Sequence, residues 1–166
     1  QYNVENAASV AIDPKSGHIL SMVGSRDWFD DSFDGQFNAA TALRQPGSTM
    51  KPIIYATAFE KGYTPDTVLF DLPTQFNANC PASQYNSANN CYAPQNYDGA
   101  YKGPMTIRNA LAQSRNIPAV KALYLAGIDD SAQTAQNLGM TSLDDPDRYG
   151  LTLVLGGGEV RLVDLV

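Results

Sequence analysis

Glycine and proline residues divide much of this chain into short helical segments, and this division limits the fold more than any other feature of the sequence. The sequence becomes helical from Ser48, because Pro52 fits only in the first turn of a helix and Gly62 is a good C-terminal stop. Further helices are predicted from Met105 to about Gln113, from Pro118 to Leu125 before Gly127, and from about Asp130 to Leu138 before Gly139. The polar stretch from about Thr64 to Gly103 is predicted to contain little regular structure. Since no internal repeat or linker is visible, residues 1–166 are expected to form one domain.

The first part of the chain predicts a β-hairpin. Two short strands, at residues 8–12 and 18–23, flank the turn sequence Asp13-Pro14-Lys15-Ser16-Gly17. Pro14 presets the first central position of the turn and Gly17 supplies a permissive φ, so the strands should pair antiparallel. At the other end, residues 159–166 look like the first turns of an amphipathic helix that is still apolar where the sequence stops. We therefore expect the chain to be a fragment of a longer protein.

The composition excludes two classes of partner. The 166 residues carry 11 lysines and arginines against 17 aspartates and glutamates, a formal net charge of -6. A chain this acidic, with no basic run, is not expected to bind nucleic acid. No apolar stretch approaches the roughly 18 residues that a membrane span needs. Residues 1–6 lack the basic and apolar regions of a signal peptide, so any export signal or membrane anchor is expected in segments outside this sequence.

Cys80 and Cys91 are the only cysteines, and they flank a segment rich in asparagine, serine and tyrosine. A disulfide between them is the favoured interpretation, because closing so short a loop is worth roughly 3 kcal/mol. Two unrelated reduced thiols are the alternative. With His18 as the single histidine, the chain cannot complete a structural zinc site. Four aspartates after the hairpin match no calcium-loop pattern and favour a solvated loop, namely Asp27, Asp30, Asp31 and Asp34. No metal and no other cofactor is expected.

The scarcity of histidine restricts the catalytic chemistry available to this chain. A Ser-His-Asp triad would have to use His18, which lies beside the hairpin turn. Lysine can act as the base instead if burial disfavours its ammonium form. In Ser48-Thr49-Met50-Lys51, residues i and i+3 share one helix face, so Lys51 can reach the Ser48 hydroxyl. The helix N-terminus would also favour negative charge that builds up near the serine.

Short motifs of this kind are weak on their own. Eleven serines and five lysines in 166 residues give about 0.3 chance occurrences of Ser-x-x-Lys. Ser-x-Asn occurs twice, as Ser87-Ala88-Asn89 between the cysteines and as Ser114-Arg115-Asn116 between two predicted helices. We treat the first as incidental. For Ser114 two interpretations stay open: an ordinary helix cap, or a hydroxyl that projects into a cleft together with the Asn116 amide.

Four longer segments carry a family resemblance. The first runs from Phe37 to Pro52, and the others are Ala11–Gly17 before it, Thr106–Asn116 after it and Leu155–Val160 near the end. In order and spacing they resemble class A penicillin-binding proteins, in which the first segment carries the nucleophile. Together they cover most of the chain and are far more specific than either short motif. The resemblance implies an α+β fold of the penicillin-binding transpeptidase and serine β-lactamase type, with helices packed on an antiparallel sheet and incomplete at the C-terminus.

The resemblance also implies an activity, that of a serine D,D-transpeptidase. Such an enzyme cross-links peptidoglycan stem peptides ending in D-Ala-D-Ala, in the periplasm or on the outer face of the bacterial cytoplasmic membrane. Ser48 would attack the peptide carbonyl with Lys51 as its base, Ser114 would relay a proton to the leaving nitrogen, and an amine of a neighbouring stem would then take the acyl group. Asn116 would hydrogen-bond the substrate amide. β-Lactam antibiotics would acylate Ser48 and stay bound.

One part of the family's pattern is missing. Its third motif, Lys-Thr/Ser-Gly on a strand that lines the cleft, should follow Ser-x-Asn, and the sequence ends before it. Lys15-Ser16-Gly17 matches the letters but belongs to the hairpin turn. The family's upstream glycosyltransferase domain and membrane anchor are not found among these residues either. This chain alone is therefore expected to be inactive unless a second chain supplies the remainder of the domain.

Three other functions stay open. A serine β-lactamase shares the acylation chemistry, but none of the three glutamates lies in a Glu-x-x-Leu-Asn pattern. A D,D-carboxypeptidase would differ only in using water as the acyl acceptor. A non-catalytic wall-binding fragment would be free to lose any of the four candidate residues, and the chain has all of them: Ser48, Lys51, Ser114 and Asn116.

Overall fold

The structure, a computed structural model, describes residues 6–82 and 91–166. Its α-helices are α1 (Lys51–Glu60), α2 (Ile107–Ala112), α3 (Asn116–Ala126), α4 (Ile128–Asn137), α5 (Pro146–Tyr149) and α6 (Leu162–Leu165). Its strands are β1 (Ser9–Ile12), β2 (Ile19–Val23), β3 (Leu43–Arg44), β4 (Val68–Asp71), β5 (Gly103–Thr106) and β6 (Val160–Arg161). Short 3-10 helices cover Asp31–Phe33, Gly47–Met50 and Gly150–Leu155. The incidental Ser87-Ala88-Asn89 motif lies outside the described residues.

The predicted N-terminal hairpin is present. β1 and β2 pair antiparallel, with Val10 opposite Met22. The Gly17 N–H donates to the Asp13 carbonyl over 2.8 Å, and the Asp13 N–H donates to the His18 carbonyl over 2.9 Å. Gly17 has a φ of 71°, a left-handed conformation in which glycine is the least strained residue. The turn therefore forms at the position that its sequence predicts.

Two further antiparallel pairs are present that the sequence patterns did not predict. β3 pairs with β6, which joins the segment before Ser48 to the end of the chain. β4 pairs with β5, and β4 lies inside the stretch that was predicted to lack regular structure. Along β4 exposed and buried side chains alternate, as on a half-buried strand. Its pairing partner is distant in sequence, so the local composition of residues 64–103 did not reveal it.

Two helix boundaries also differ from the prediction. Met105 belongs to β5, and α2 begins only at Ile107 because the Thr106 hydroxyl caps it, accepting from the Asn109 N–H over 3.3 Å. The helix predicted over residues 159–166 is interrupted at its start. There Val160 pairs with Arg44 in a strand, and this tertiary pairing overrides the helical pattern until Leu162.

The core lies between α1, α3, α4 and the 3-10 helix Gly150–Leu155. Ile54 of α1 and Leu123 of α3 are fully buried at its centre. Lys51 is the first residue of α1 and Asn116 is the first residue of α3, and the starts of these two helices meet at one side of the core. The contact between these two helix starts brings the two candidate motifs together. Among the described residues, every helix falls short of the length and apolar character that crossing a membrane requires.

Candidate active site

Ser48 lies in the 3-10 helix Gly47–Met50, one turn before α1. This position agrees with the predicted location at or just before a helix start. The Lys51 N–H donates to the Ser48 carbonyl, which leads the turn directly into α1. The Ser48 side chain is exposed, and in the described part of the chain its hydroxyl makes no hydrogen bond. The predicted contact between Ser48 and Lys51 is therefore not formed in this structure, although the two residues face the same turn.

Lys51 is the buried centre of the site, with 1% of its surface exposed. Its Nζ lies 2.6 Å from the Ser114 carbonyl oxygen, 3.1 Å from Ser114 Oγ and 2.7 Å from Asn116 Oδ1. All three partners come from the Ser114-Arg115-Asn116 corner. The structure thus brings three of the four predicted site residues into direct contact.

None of these contacts supplies a counter-ion to Lys51. Its Nζ donates to the Ser114 carbonyl, the Ser114 hydroxyl oxygen and the Asn116 amide oxygen, and all three acceptors are neutral. Burial and, after it, the charge of Arg115 lower the pKa of Lys51 to about 8. Near neutral pH Lys51 is therefore close to losing its proton, as a general base must be.

The corner between α2 and α3 presents its polar groups through an unusual backbone conformation. Ser114 has a φ of 51°, which is uncommon outside glycine and clusters at functional sites. Its N–H donates to the Leu111 carbonyl over 2.9 Å, and its own carbonyl oxygen accepts from Lys51 Nζ. Arg115, not Ser114, occupies the N-cap of α3. The helix-cap interpretation of Ser114 is therefore wrong, and its hydroxyl contacts Lys51 instead.

A buried ion-pair network lies behind this corner, and sequence reasoning missed it. Arg115 is 6% exposed, and its Nε donates to Asp71 Oδ2 over 2.9 Å while its Nη1 donates to Asp98 Oδ2 over 2.8 Å. Burial opposes the charge of Arg115, but the hydrogen bonds with Asp98 and Asp71 outweigh it and raise the pKa of the guanidinium. The hydrogen bond with Arg115 also lowers the pKa of Asp98. Asp71 and Asp98 lie among the scattered polar residues of 64–103, a composition that is typical of a surface loop and does not indicate a buried network.

The segment Leu155–Val160 supports the turn that carries Ser48. Gly156 packs against Gly47 so closely that a Cβ on Gly156 would lie 2.2 Å from the Gly47 nitrogen and 2.5 Å from its Cα. Both glycines have positive φ values, 88° and 61°. Two backbones can approach this closely only where no side chain intervenes. The C-terminal part of the chain thus forms one wall of the turn that carries Ser48.

The remaining predicted features lie away from Lys51. Cys80 and Cys91 are joined by a disulfide, with their Cα atoms 5.7 Å apart. In the acidic loop, the Asp30 carboxylate accepts from the Ser32 N–H over 2.9 Å and forms an ion pair with Arg26, so it is occupied within its own loop. Among residues 6–82 and 91–166, no three side chains of histidine, cysteine, aspartate or glutamate are grouped to hold a metal ion.

Comparison with known proteins identifies the family of this chain. A family model described as the penicillin binding protein transpeptidase domain matches residues 7–152. Penicillin-binding protein 2D of Bacillus subtilis is 38% identical over 158 residues, which is 94% of this chain and 21% of that protein. The chain spans about a fifth of the length of the curated relatives it matches.

Solved structures show the same fold. The crystal structure of penicillin-binding protein 1A from Haemophilus influenzae is 34% identical, with a TM-score of 0.78 over 96% of this chain and 22% of that chain. PonA1 from Mycobacterium tuberculosis, solved in complex with penicillin V, is 22% identical, with a TM-score of 0.75 over 95% of this chain and 40% of that chain. The α+β fold expected from the sequence is thereby confirmed. Since the family model spans most of its length, the chain belongs to the penicillin-binding protein transpeptidase domain family, within the class A group that its sequence resembles.

Proposed function

We propose that this chain carries the nucleophile and the base of a serine D,D-transpeptidase that cross-links peptidoglycan. The observation that carries the proposal is the buried Lys51, whose Nζ contacts both Ser114 and Asn116. A charged lysine is costly in such a place, whereas an uncharged one is a base at the pH at which the wall is built. Among the described residues no carboxylate pairs with Lys51, so a structural ion pair does not explain a buried lysine at this side of the core. A catalytic base accounts for it.

In the proposed acylation, the Ser48 hydroxyl approaches Lys51 Nζ and loses its proton to it. A bond forms between Ser48 Oγ and the carbonyl carbon of the penultimate D-alanine, and the bond from that carbon to the terminal D-alanine nitrogen breaks. The proton moves from Lys51 through Ser114 Oγ to the leaving nitrogen, so the released D-alanine departs as an amine. The 3.1 Å distance between Lys51 Nζ and Ser114 Oγ suits this transfer. Asn116 then binds the substrate amide beside the scissile bond.

The second half of the proposed reaction consumes the acyl-enzyme. The amine nitrogen of a neighbouring stem peptide forms a bond to the acyl carbon and the bond from that carbon to Ser48 Oγ breaks. Lys51 accepts the proton of the amine and passes it to Ser48 Oγ, which leaves as an alcohol. A β-lactam enters the first half in place of the dipeptide and leaves a stable acyl-enzyme. The complex of PonA1 with penicillin V supports this class of ligand. The names of the curated relatives, all penicillin-binding proteins, point the same way.

We also propose a setting for this reaction. Residues 1–166 form the first part of one transpeptidase domain, and a Lys-Thr/Ser-Gly strand from the rest of the protein or from a second chain completes it. The substrate is polymerised outside the cytoplasmic membrane, so the domain acts there. No cofactor is needed, because Lys51, Ser114 and the serine itself supply every proton transfer in the scheme.

Intact-mass spectrometry after incubation with a penicillin tests the proposal. We expect a serine-dependent mass increase on a longer polypeptide that continues through a Lys-Thr/Ser-Gly strand, and none on this chain alone. Ser48→Ala should abolish the increase. Ser32→Ala is the matched control, since Ser32 is also an exposed serine in a 3-10 helix, and it should leave labelling unchanged. An unlabelled but folded longer polypeptide, or labelling that survives Ser48→Ala, would contradict the proposal.

A further inference from the structure

We infer that Asn96 is a positioning residue for the candidate active site, because its side chain caps α3 from a distant loop and thereby holds Asn116 against Lys51. The inference rests on the proposed function for its catalytic consequence. Its structural part stands independently of that function. Neither the short motifs nor the proposed reaction scheme gives a role to the segment that contains Asn96.

The start of α3 depends on Asn96 for its hydrogen bonds. Asn96 Oδ1 accepts from the Asn116 N–H over 2.8 Å and from the Ile117 N–H over 3.4 Å. The first N–H groups of a helix have no partner within the helix and need one from elsewhere. The N-cap residue of α3, Arg115, makes no side-chain capping bond. Asn96 therefore supplies the cap from outside the helix and its flanking residues.

The other end of the Asn96 amide fixes its orientation. Asn96 Nδ2 donates to Asp71 Oδ1 over 2.7 Å and to the Ala100 carbonyl over 2.9 Å. Asn96 is 4% exposed and Asp71 is fully buried. Asp71 Oδ2 in turn accepts from Arg115 Nε and from the Lys102 N–H. A buried polar network with every member satisfied is rigid, so the amide oxygen of Asn96 must face the helix.

This arrangement reaches Lys51 through Asn116. Asn116 Oδ1 lies 2.7 Å from Lys51 Nζ, and Asn116 Nδ2 donates to the Gln95 carbonyl over 2.8 Å. The backbone of Asn116 is thus held by Asn96 and its side chain by the preceding residue of the same loop. If the cap is removed, the first turn of α3 is free to fray. Asn116 Oδ1, which accepts from Lys51 Nζ, then moves with that turn.

The first test compares Asn96→Ala with Thr106→Ala, a variant that removes the cap of a different helix, α2. Hydrogen exchange on this chain should become about tenfold faster at the Asn116 and Ile117 amides in Asn96→Ala only. On the longer polypeptide, penicillin acylation of Ser48 should slow by about tenfold in Asn96→Ala and stay within about twofold of the unmodified protein in Thr106→Ala. A folded Asn96→Ala protein with unchanged exchange at these amides, or with unchanged acylation, would overturn the inference. So would an equal slowing of acylation by Thr106→Ala.

A second pair of variants keeps the test decisive if Asn96→Ala does not fold. Asn96→Asp retains the acceptor for α3 but places a second carboxylate against Asp71, which should slow acylation. Adding Asp71→Asn places an amide donor at position 71 opposite the carboxylate acceptor at position 96. The double variant should therefore be acylated faster than Asn96→Asp alone. An equal or slower double variant would contradict the proposed pairing. Absence of Ser48-dependent acylation in the unmodified protein would refute the proposed function, whereas the exchange experiment would still decide whether Asn96 caps α3.

Discussion

At the scale of single residues, both the burial of Lys51 and the neutral character of its partners disfavour its ammonium form. Lys51 is almost fully buried, and its partners are neutral oxygens rather than carboxylates. Burial lowers the pKa of Lys51, and the neighbouring Arg115, which has a charge of the same sign, lowers it further. Asp71 and Asp98 are hydrogen-bonded to Arg115 and not to Lys51. Asp71 and Asp98 thus neutralise Arg115 and not Lys51, so the ammonium form of Lys51 has no counter-ion to stabilise it and its pKa falls to about 8.

The rate of acylation of Ser48 by penicillin is expected to rise with pH and to level off above about pH 8. The sign follows from the base being the neutral form of Lys51, whose pKa is about 8, so that the active fraction is lost as pH falls through this value. Acylation rates measured from pH 6 to pH 10 with a fluorescent penicillin would check this.

Two lysine variants provide the controls for this pH profile. Lys51→Met should reduce acylation by about 10² to 10⁴, the usual contribution of a general base. Lys121→Met should leave the midpoint unchanged, although burial lowers the pKa of Lys121 as well, because its Nζ donates to the Phe70 carbonyl and not to the site. A rate that does not change between pH 6 and pH 9 would refute the role of Lys51 as base.

At the scale of elements, the 3-10 helix that carries Ser48 is held between α1 and the glycine-rich segment after the 3-10 helix Gly150–Leu155. A side chain on Gly156 would meet the backbone of Gly47, and backbone atoms cannot swing aside as a flexible side chain does. The displacement would therefore be passed to the next residue, Ser48. The position of Ser48 thus depends on an element that makes no contact with substrate in the proposed scheme.

Gly156→Ala is expected to slow acylation by about tenfold, whereas Gly62→Ala should stay within about twofold of the unmodified protein. The pair is matched, because Gly156 and Gly62 have φ values of 88° and 94° and both substitutions strain the backbone. Only Gly156 has a backbone neighbour at the position of the new Cβ, since nothing lies within 4 Å of that position at Gly62. Acylation rates compared at equal folded fraction test this. Equal losses in the two variants would show that strain alone is responsible.

Elements with a local signal were predictable, and elements paired over distance were not. Pro52 and Gly62 mark the two ends of α1, and Gly17 marks the hairpin turn, because their backbone restrictions act within a few residues. β4 and β5 escaped prediction, since what stabilises each strand is the other one, far along the chain. Within the site, Ser48, Lys51, Ser114 and Asn116 could be proposed from two short motifs together with the longer segments that carry the family resemblance. The network of Asp71 and Asn96 behind them could not, since single polar residues in a loop carry no spacing rule.

At the scale of the whole molecule, the disulfide between Cys80 and Cys91 links two positions of the segment that precedes Asn96. Beside it, the Phe76 N–H donates to the Tyr92 carbonyl over 2.8 Å, so the two flanks of the loop are also paired through their backbones. Replacing both cysteines with serine should lower the free energy of unfolding by about 3 kcal/mol. For a chain of this length that corresponds to a fall in melting temperature of about 6–12 °C.

A reducing agent supplies the internal control for this prediction. It should lower the melting temperature of the unmodified protein to that of the double serine variant and leave the variant itself unchanged. The unreduced protein should also be lighter than the reduced protein by about 2 Da, the mass of the two hydrogens lost when a disulfide forms. Identical masses before and after reduction would rule out the bond.

The contact between Gly47 and Gly156 has a consequence for the order in which this molecule is assembled. A ribosome makes the chain from its N-terminus, so the turn that bears Ser48 emerges long before the glycine that supports it. Closing that contact requires the ends of a long loop to meet, which is a late and entropically costly step. In a nascent chain the turn that bears Ser48 therefore lacks the support of Gly156 until more than a hundred further residues have been made. Under the proposed function, docking of Gly156 is one of the steps that must precede acylation of Ser48.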